Sequence, residues 1–376
     1  MNFKSAAWEL SMDVKHFFKL PLTLSLIFPI VLSYADELSS RVSSLETRMS
    51  AVKTETPKGT VGAQMASASP LFDGLGLFVS ADLLYWHVYE GGADYSLSRE
   101  VSGPQSFPKI SGESSRIHFD WDFGFRVGAG YHFEHDAWDA LVNFTWFRTD
   151  GDGHTHADSD ETLVPQKGAF NTVTAHKISA HWDIHNYILD MEVGRRYFVS
   201  KFLAFRPHIG IESAWIYQHR HFRIHQPLDL QNVEGESVRG RCNFWGIGPR
   251  AGVEGTWFFG KRFSLFGVVD GALLWGHFDT KNKEKLETPS GDVPSLSVHD
   301  DFHRLSPNVQ MMLGASWDSN LSNDMFHLTI KLGYEFQYWW RQNQFINEQQ
   351  VSFFGLQHES KDLSINGATL DVRFDF

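Results

Sequence analysis

The 376-residue sequence has little of three features that define common protein classes. Its one cysteine, Cys242, excludes an intrachain disulfide and a cysteine-based zinc cluster. Beyond residue 35 it has no run of about 20 apolar residues, which excludes a helical membrane protein. Basic residues are outnumbered, with 33 Lys and Arg against 45 Asp and Glu, and this balance argues against a nucleic-acid-binding protein.

Aromatic and apolar residues, in contrast, are abundant. The 13 Trp and 32 Phe are too many for a disordered chain. Hydrophobic residues make up 42% of the sequence, yet the mean hydropathy is −0.28. The apolar residues must therefore be interleaved with polar ones.

Residues 1–35 have the parts of a secretory signal peptide. A basic start at Lys15 and Lys19 precedes a short apolar stretch, Leu20 to Leu32, and Ser33-Tyr34-Ala35 has the small residues of a cleavage site. We predict cleavage after Ala35, which places the mature chain outside the cytoplasm.

Residues 36–56 contain a short heptad pattern. Two interpretations stay open, because the pattern covers only about two heptads: an oligomerising coiled coil that makes a homotrimer, or an amphipathic helix that frays. The next residues, 57–76, are rich in Thr, Gly, Ala, Ser and Pro and are predicted to be a flexible linker. The apolar positions of the heptad pattern are Leu38, Val42, Leu45, Met49 and Val52.

Residues 77–376 alternate between apolar and polar residues in ten runs, which is the pattern of β-strands. The links between the runs alternate between short and long. This sorting predicts an all-β fold, an antiparallel transmembrane β-barrel with short periplasmic turns and long extracellular loops. The short links are residues 132–137, 198–201, 260–262 and 318–325, and the long polar links are 90–115, 149–175, 219–240, 278–303 and 341–362.

The strand number has a range of ten to sixteen, because long loops can hide strands. Residues 345–354, with Phe345, Val351 and Phe353 on one register, are the best candidate for an additional strand. Ten strands predict a narrow pore at most, because about eight strands are already filled by side chains.

Aromatic residues near the strand ends predict two membrane-interface belts. Trp245 and Trp257 share one strand face and lie about 30 Å apart along the barrel axis, which matches the height of the apolar band. Phe376, at the end of the last apolar register, looks like a barrel-assembly signal. The interface aromatics are Tyr85, Trp138, Trp146, Trp245, Trp257 and Trp317.

The segment from Phe78 to Trp86, continuing through Tyr89-Glu90-Gly91-Gly92 to Tyr95, resembles the major-outer-membrane-protein-like, pore-forming family of Legionella and environmental chlamydiae. The resemblance implies an integral outer-membrane β-barrel with porin activity. The chlamydial members are rich in cysteine, whereas this chain has only Cys242, so disulfide-linked assembly is not expected.

The polar faces of the strands are predicted to line the lumen. Both signs of charge occur there, so no strong selectivity filter is expected, and the overall acidity favours a weak cation preference. An alternative is that these residues pair and plug the interior. The candidates are Arg126, Asp139, Asp190, Glu192, Arg206, Glu212, Arg250, Asp270, Lys331, Glu335, Asp371 and Arg373.

A porin for small solutes or ions is the leading functional hypothesis, with no enzymatic activity, cofactor or metal expected. The expected partners are outer-membrane lipid, the barrel-assembly machinery and small solutes. An adhesin or structural envelope barrel is an alternative, and an outer-membrane hydrolase is less favoured. The rival chemical sites are an acid–base group of His181, Asp183 and His185, and a zinc site of His219, His221 and His225.

Overall fold

Long β-strands make up most of the chain after residue 75. The computed structural model describes residues 76–102, 109–133, 138–158, 161–167, 174–200, 202–227, 232–259, 262–321, 326–349 and 355–376. The predicted signal peptide, coiled coil and linker lie outside the described residues, except for Gly76. Among the described residues, no helix is long and apolar enough to span a membrane.

Ten long strands of the described chain form the wall of the molecule. In chain order they are β1 (Leu77–Glu90), β2 (Trp121–His132), β3 (Trp138–His156), β4 (Ala175–Arg195), β5 (Leu203–Pro227), β6 (Gly235–Phe258), β7 (Phe263–Thr288), β8 (Gly291–Leu321), β9 (Phe326–Asn343) and β10 (Lys361–Asp375).

The ten strands close into a ring. Each strand pairs antiparallel with the next one along the chain. The first strand, β1, also pairs with the last, β10, from Phe78 opposite Asp375 to Glu90 opposite Leu363. A closed ring leaves no unpaired strand edge, which a lipid environment requires. The predicted ten-stranded antiparallel barrel is confirmed.

Side chains alternate between the two faces of the wall because successive residues of a strand point in opposite directions. In β6, Val253 is 41% exposed on the outer face, whereas its neighbour Glu254 is 9% exposed on the inner face. On the side of the short turns, the outer face of the wall is mainly apolar, with exposed side chains such as Leu83, Ile209 and Leu313.

Two of the predicted polar loops are mainly strand. Residues 219–240 continue β5 and β6, which remain paired up to His225 opposite Gly235. Residues 278–303 continue β7 and β8 to a tight turn in which Thr288 pairs with Gly291, whose φ is 118°. These residues were predicted to be loops because the part of the wall beyond the membrane has water on its outer face. Its outward residues are therefore polar, and the apolar–polar alternation that identifies a transmembrane strand is missing.

Residues 345–354 are the best sequence candidate for an extra barrel strand, but their described part, residues 345–349, is not in the wall; Val351 and Phe353 lie outside the described residues. Ile346–Gln349 pairs with Gly355–His358 in a separate two-stranded sheet. The chain leaves the wall at Arg341, which adopts a φ of 54° and donates its backbone N–H to Asp362 Oδ1 at 2.7 Å. Phe345 is then buried inside the barrel, so the described part of this segment folds into the lumen.

The outer half of the barrel interior contains an apolar core. It is formed by inward side chains of the wall together with residues of the segments that follow β1 and β3. Tyr95, Phe119 and Leu163 belong to those segments and are at most 5% exposed. Burying apolar side chains on the inner face is favourable, because it removes them from water. The lumen is therefore filled at its outer end.

Candidate functional site

The aromatic residues of the outer face form two levels on the wall. Trp146, Tyr187, Trp215 and Trp245 stand opposite one another on four neighbouring strands and form the outer aromatic row. At the other end, Trp257 pairs with Leu203 beside the short turns. The outer row lies about 30 Å from that end along the barrel axis, as expected for membrane interfaces.

The remaining predicted interface aromatics also point outward. Tyr85 is 40% exposed and its ring lies 4.7 Å from that of Phe123. Trp138 and Trp317 lie at the same end of the wall as Trp257, opposite Arg195 and Phe263 respectively. We take the strand portions between the two aromatic levels as the membrane-spanning segments.

All twelve residues predicted to line the lumen lie on the inner face of the wall. Eight of them are at most 8% exposed, and the others are partly buried. The arrangement brings ten of them together into three clusters of opposite charges, and Arg373 pairs with Asp375. The eight buried residues are Asp139, Asp190, Glu192, Arg206, Glu212, Arg250, Asp270 and Glu335, and the partly buried ones are Arg126, Lys331, Asp371 and Arg373.

The first cluster surrounds Arg206 near the periplasmic end. The guanidinium donates to Asp139 Oδ2 at 2.9 Å and to Glu192 Oε1 at 2.8 Å. Its two carboxylate partners belong to neighbouring strands, β3 and β4. Buried charges need such partners, since an unpaired ion inside the barrel carries a large desolvation cost.

The second cluster surrounds Arg250, which joins carboxylates from three strands. Its guanidinium lies 2.6 Å from Asp190, 3.1 Å from Asp270 and 3.6 Å from Glu212. His208 connects this cluster to the first, because it contacts Asp270 and lies 3.6 Å from Glu192. The two clusters therefore form one continuous network across the lumen.

The third cluster lies on the opposite side of the barrel. Arg126 bridges Asp82 at 3.0 Å and Glu335 at 2.8 Å. Nearby, Lys331 pairs with Glu254 at 2.9 Å. Acids and bases alternate around the lumen, so no ring of one sign forms.

Several members of this network were not among the sequence candidates. Asp82, His208, Glu254 and Asp375 all lie on the inner face and contact the predicted residues. The sequence could have identified them, because each belongs to the polar register of its strand. The alternation of a strand places residues of one register on the same face, so these residues face the lumen like the candidates.

An apolar layer separates the charged lumen from the outer end. It consists of inward residues of β3 and of β5 to β8 at the level of the outer aromatic row, and the buried Asn186 of β4 stands between Phe147 and Ile216. The rings of Phe278 and Phe302 stack with centroids 5.3 Å apart, and Phe244 lies 4.7 Å from Phe278. This layer was not predicted from the sequence, although phenylalanines at positions of the otherwise polar inner register indicate it. The apolar layer comprises Phe147, Ile216, Phe244, Phe278 and Phe302.

Above the apolar layer, the inward segment (residues 343–349 and 355–360) is held by an ion-pair cluster. Arg220 of β5 donates to Glu359 Oε1 at 2.9 Å, and Lys167 also contacts Glu359. Asn343 donates to Glu359 Oε2 at 2.9 Å. Burial would raise the pKa of Glu359, but the charges of Arg220 and Lys167 outweigh burial and lower this pKa to about 2.

The rival acid–base group lies on the outer face of the wall. His181 Nδ1 lies 2.8 Å from Asp152 Oδ1, and His181 Nε2 lies 3.1 Å from Asp183 Oδ2. Partial burial opposes protonation, yet the bond to Asp152 and the charge of Asp183 raise the pKa of His181. Atoms of Asp150, Asp152 and His181 all lie within 4.8 Å of one another. His185 is on the same face, two residues beyond Asp183 toward the outer aromatic row.

The predicted zinc histidines are also on the outer face, and two of them contact different serines. His221 Nε2 lies 3.0 Å from Ser237 Oγ, and His225 Nε2 lies 3.3 Å from Ser179 Oγ. Burial and neighbouring cations lower the pKa of both imidazoles. His219 stands opposite Asp183 and Arg241.

A closed ring of ten antiparallel strands, apolar outside between two aromatic levels and charged inside, defines an integral outer-membrane β-barrel protein. The chain belongs to the family described as Legionella pneumophila major outer membrane protein precursor, whose family model matches residues 75–376. This membership confirms the resemblance of residues 78–95, and the protein is located in the outer membrane.

Similar solved structures include other outer-membrane proteins. The outer membrane protease OmpT from Escherichia coli is 8% identical, with a TM-score of 0.42, and the match covers 83% of this chain and 100% of OmpT. The translocator domain of autotransporter NalP from Neisseria meningitidis is 11% identical, with a TM-score of 0.29 and coverages of 91% and 98%.

The attachment invasion locus protein Ail of Yersinia pestis is 10% identical, with a TM-score of 0.20, and the match covers 80% of this chain and 98% of Ail. At such low identities and TM-scores, these similarities assign no function to this chain. No curated protein matches it.

Proposed function

We propose that this protein is a porin with a narrow, gated lumen that passes ions and small polar solutes by diffusion. The observation that carries the proposal is the charged network inside the membrane-spanning wall around Arg206 and Arg250, which Gln310 connects to Glu335 and Arg126. Charged side chains are costly in a membrane protein unless they face water or one another, and they commonly mark an ion pathway.

The outer end of the lumen acts as the gate in this proposal. The apolar layer around Phe278 forms a hydrophobic constriction, and such constrictions stop conduction by expelling water. The inward segment closes the space above it through Arg220 and Glu359. Opening requires the inward segment to move and the apolar layer to become hydrated.

The ion preference follows from the charges of the lining. The twelve candidates comprise seven carboxylates and five cations, and Asp82, Glu254 and Asp375 add three more carboxylates. The excess of negative charge supports a weak preference for cations. Because acids and bases are paired, we expect no sharp selectivity.

Single-channel recording in planar bilayers tests this proposal. We expect rare openings of the wild-type protein. The open probability should be higher for F278S, because a polar side chain allows water into the apolar layer, and for R220Q, because it removes the ion pair that holds the inward segment. The controls are V293S, at an exposed position beside the turn between β7 and β8, and R116Q, in an exposed ion pair. Sealed bilayers for the wild type and both gate variants at high protein load would refute the porin hypothesis.

A closed structural or adhesive envelope barrel is the second candidate. It is favoured by the filled outer half of the barrel and by the paired extension of β7 and β8 up to Thr288 and Gly291. Sealed bilayers together with binding to host cells or to an envelope component would support it. We propose no enzymatic activity, since His181 and Asp183 lie on the outer wall just above the lipid interface and not in the lumen.

Assembly partners are also part of the proposal. Phe376 follows β10 on its outer register, donates its backbone N–H to Leu77 O at 2.8 Å, and its ring centroid lies 4.9 Å from that of Phe374. We propose that it is recognised by the barrel-assembly machinery, so F376A lowers the yield of inserted protein.

Residues 36–56 are proposed to form a homotrimer, and their deletion then reduces the mass measured in mild detergent.

A further inference from the structure

A group of cations stands on the outer face of the wall, directly above the outer aromatic row. We call Arg239, Arg241, Lys281 and Lys283 the outer cationic patch. Arg239 is opposite Lys283 and Arg241 is opposite Lys281 on the paired strands β6 and β7. All four line a shallow groove of about 350 Å³. The groove therefore has four cationic side chains on its wall.

Like charges face each other across the strand pair in this patch. Directly opposite side chains on an antiparallel pair have Cβ atoms about 5 Å apart, and like charges there are destabilising. Arg241 is relieved by Asp279, whose carboxylate lies 3.0 Å away. In the part of the chain that the structure describes, Arg239, Lys281 and Lys283 form no ion pair with an acidic side chain. An anion from outside the chain would satisfy them.

Neighbouring groups leave the patch positive. His221 and His219 stand opposite Arg239 and Arg241 on β5. Asp183 is the one carboxylate among the residues that line the groove. Three unpaired cations thus surround a groove with one acidic side chain.

The height of the patch above the membrane indicates which phosphate groups of a lipid its side chains can reach. Arg241 is four residues beyond Trp245 along β6, which is about 10 Å above the aromatic row for a tilted strand. Long basic side chains reach back toward the interface from that height. Phosphates attached to sugar headgroups lie at this level, whereas phosphodiesters next to the hydrocarbon lie lower.

We propose that the outer cationic patch binds the phosphate groups of a phosphorylated glycolipid in the outer leaflet of the outer membrane. Arg and Lys suit this role, because guanidinium and ammonium groups form strong charge-assisted hydrogen bonds with phosphate oxygens. The patch lies outside the lumen, so the proposal does not depend on whether the lumen conducts.

Binding of lipid A to the refolded, detergent-solubilised protein tests the proposal. The probes are bisphosphorylated lipid A, the same lipid with its phosphates removed, and inorganic phosphate, all at one ionic strength. We expect R239Q/K283Q to lower the affinity for bisphosphorylated lipid A about tenfold. The matched control R223Q/K285Q also removes two cations from this wall, but these cations lie near Glu287 and Asp292, and its affinity should change less than about twofold.

Thermal unfolding gives a second readout. Without lipid, R239Q/K283Q should unfold at the same temperature as the wild type or higher, because it removes a like-charge pair. With bisphosphorylated lipid A, the wild type should gain more stability than this variant. Equal loss of affinity in both double variants, or equal binding of the dephosphorylated lipid, would overturn the proposal. Inorganic phosphate that competes at micromolar concentration would also overturn it, by assigning the groove to free phosphate.

Discussion

Arg220 and Phe345 lie in contact at the outer end of the lumen, with Arg220 Cζ 4.1 Å from the centre of the Phe345 ring. The guanidinium belongs to the wall strand β5, whereas the ring belongs to the inward segment. Trp182 adds an edge contact, with its ring centroid 5.3 Å from that of Phe345. A cation–π contact and the Glu359 ion pair thus fasten the inward segment to the same wall residue.

The ionised Glu359 carboxylate stabilises this closure. Its folded-state pKa of about 2 is below its ordinary value of 4.5, so the stabilisation is complete above pH 4.5 and is lost as the pH falls through about 2. The shift corresponds to about 3 kcal/mol. We predict that E359Q lowers the thermal midpoint at pH 6 and that the difference from the wild type shrinks toward pH 2. A difference that is independent of pH would contradict this account.

Cys242 offers a chemical probe of the closed state. Its thiol is fully buried on the inner face, and burial raises its pKa to about 12. A thiol reacts as the thiolate, so we predict almost no labelling by a water-soluble maleimide in the folded wild type. The R220Q and F345A variants should label faster, because the inward segment contacts the thiol through the backbone of Gln344. Fast labelling of folded wild type would show that the outer end is open to water.

Arg126 is predicted to be a major stabilising residue of the lumen. Replacement by Gln leaves Asp82 and Glu335 buried without their cation, which should cost about 3–5 kcal/mol. Heat modifiability on gels and thermal unfolding measure this loss. R116Q is the control, because its exposed pair with Asp94 should contribute at most about 1 kcal/mol. Equal effects of both substitutions would refute the assignment.

His181 should titrate above an ordinary histidine. Its raised pKa means that the stabilisation from Asp152 and Asp183 is present at low pH and is lost as the pH rises through that pKa. We expect D152N to lower the pKa of His181 in an NMR titration of the histidine rings. D158N, an exposed change two residues beyond the end of β3, should leave it unchanged.

The sequence predicts the wall better than it predicts what fills it. Alternation of residues such as Val253 and Glu254 identifies strand faces, because a transmembrane strand must present one face to lipid. The same alternation cannot distinguish an open lumen from a filled one. Phe278 is on the inner register and meets other phenylalanines there only because the barrel closes.

Contacts between residues far apart in the chain could not be predicted from the sequence either. Arg126 and Glu335 are 209 positions apart, and their pairing depends on the ring closure of β1 with β10. The turn of the inward segment depends on the left-handed backbone of Arg341, a conformation that the residue type does not predict.

The paired extension of β7 and β8 has a consequence for the cell surface. A protease binds its substrate as an unpaired, extended strand of several residues. Backbone pairing continues to Thr288 and Gly291, with one register shift between Glu284 and Lys285, so most of this extracellular hairpin offers no unpaired strand. We therefore expect the paired part of this hairpin to be cut slowly by foreign proteases, although it lies in the extracellular fluid.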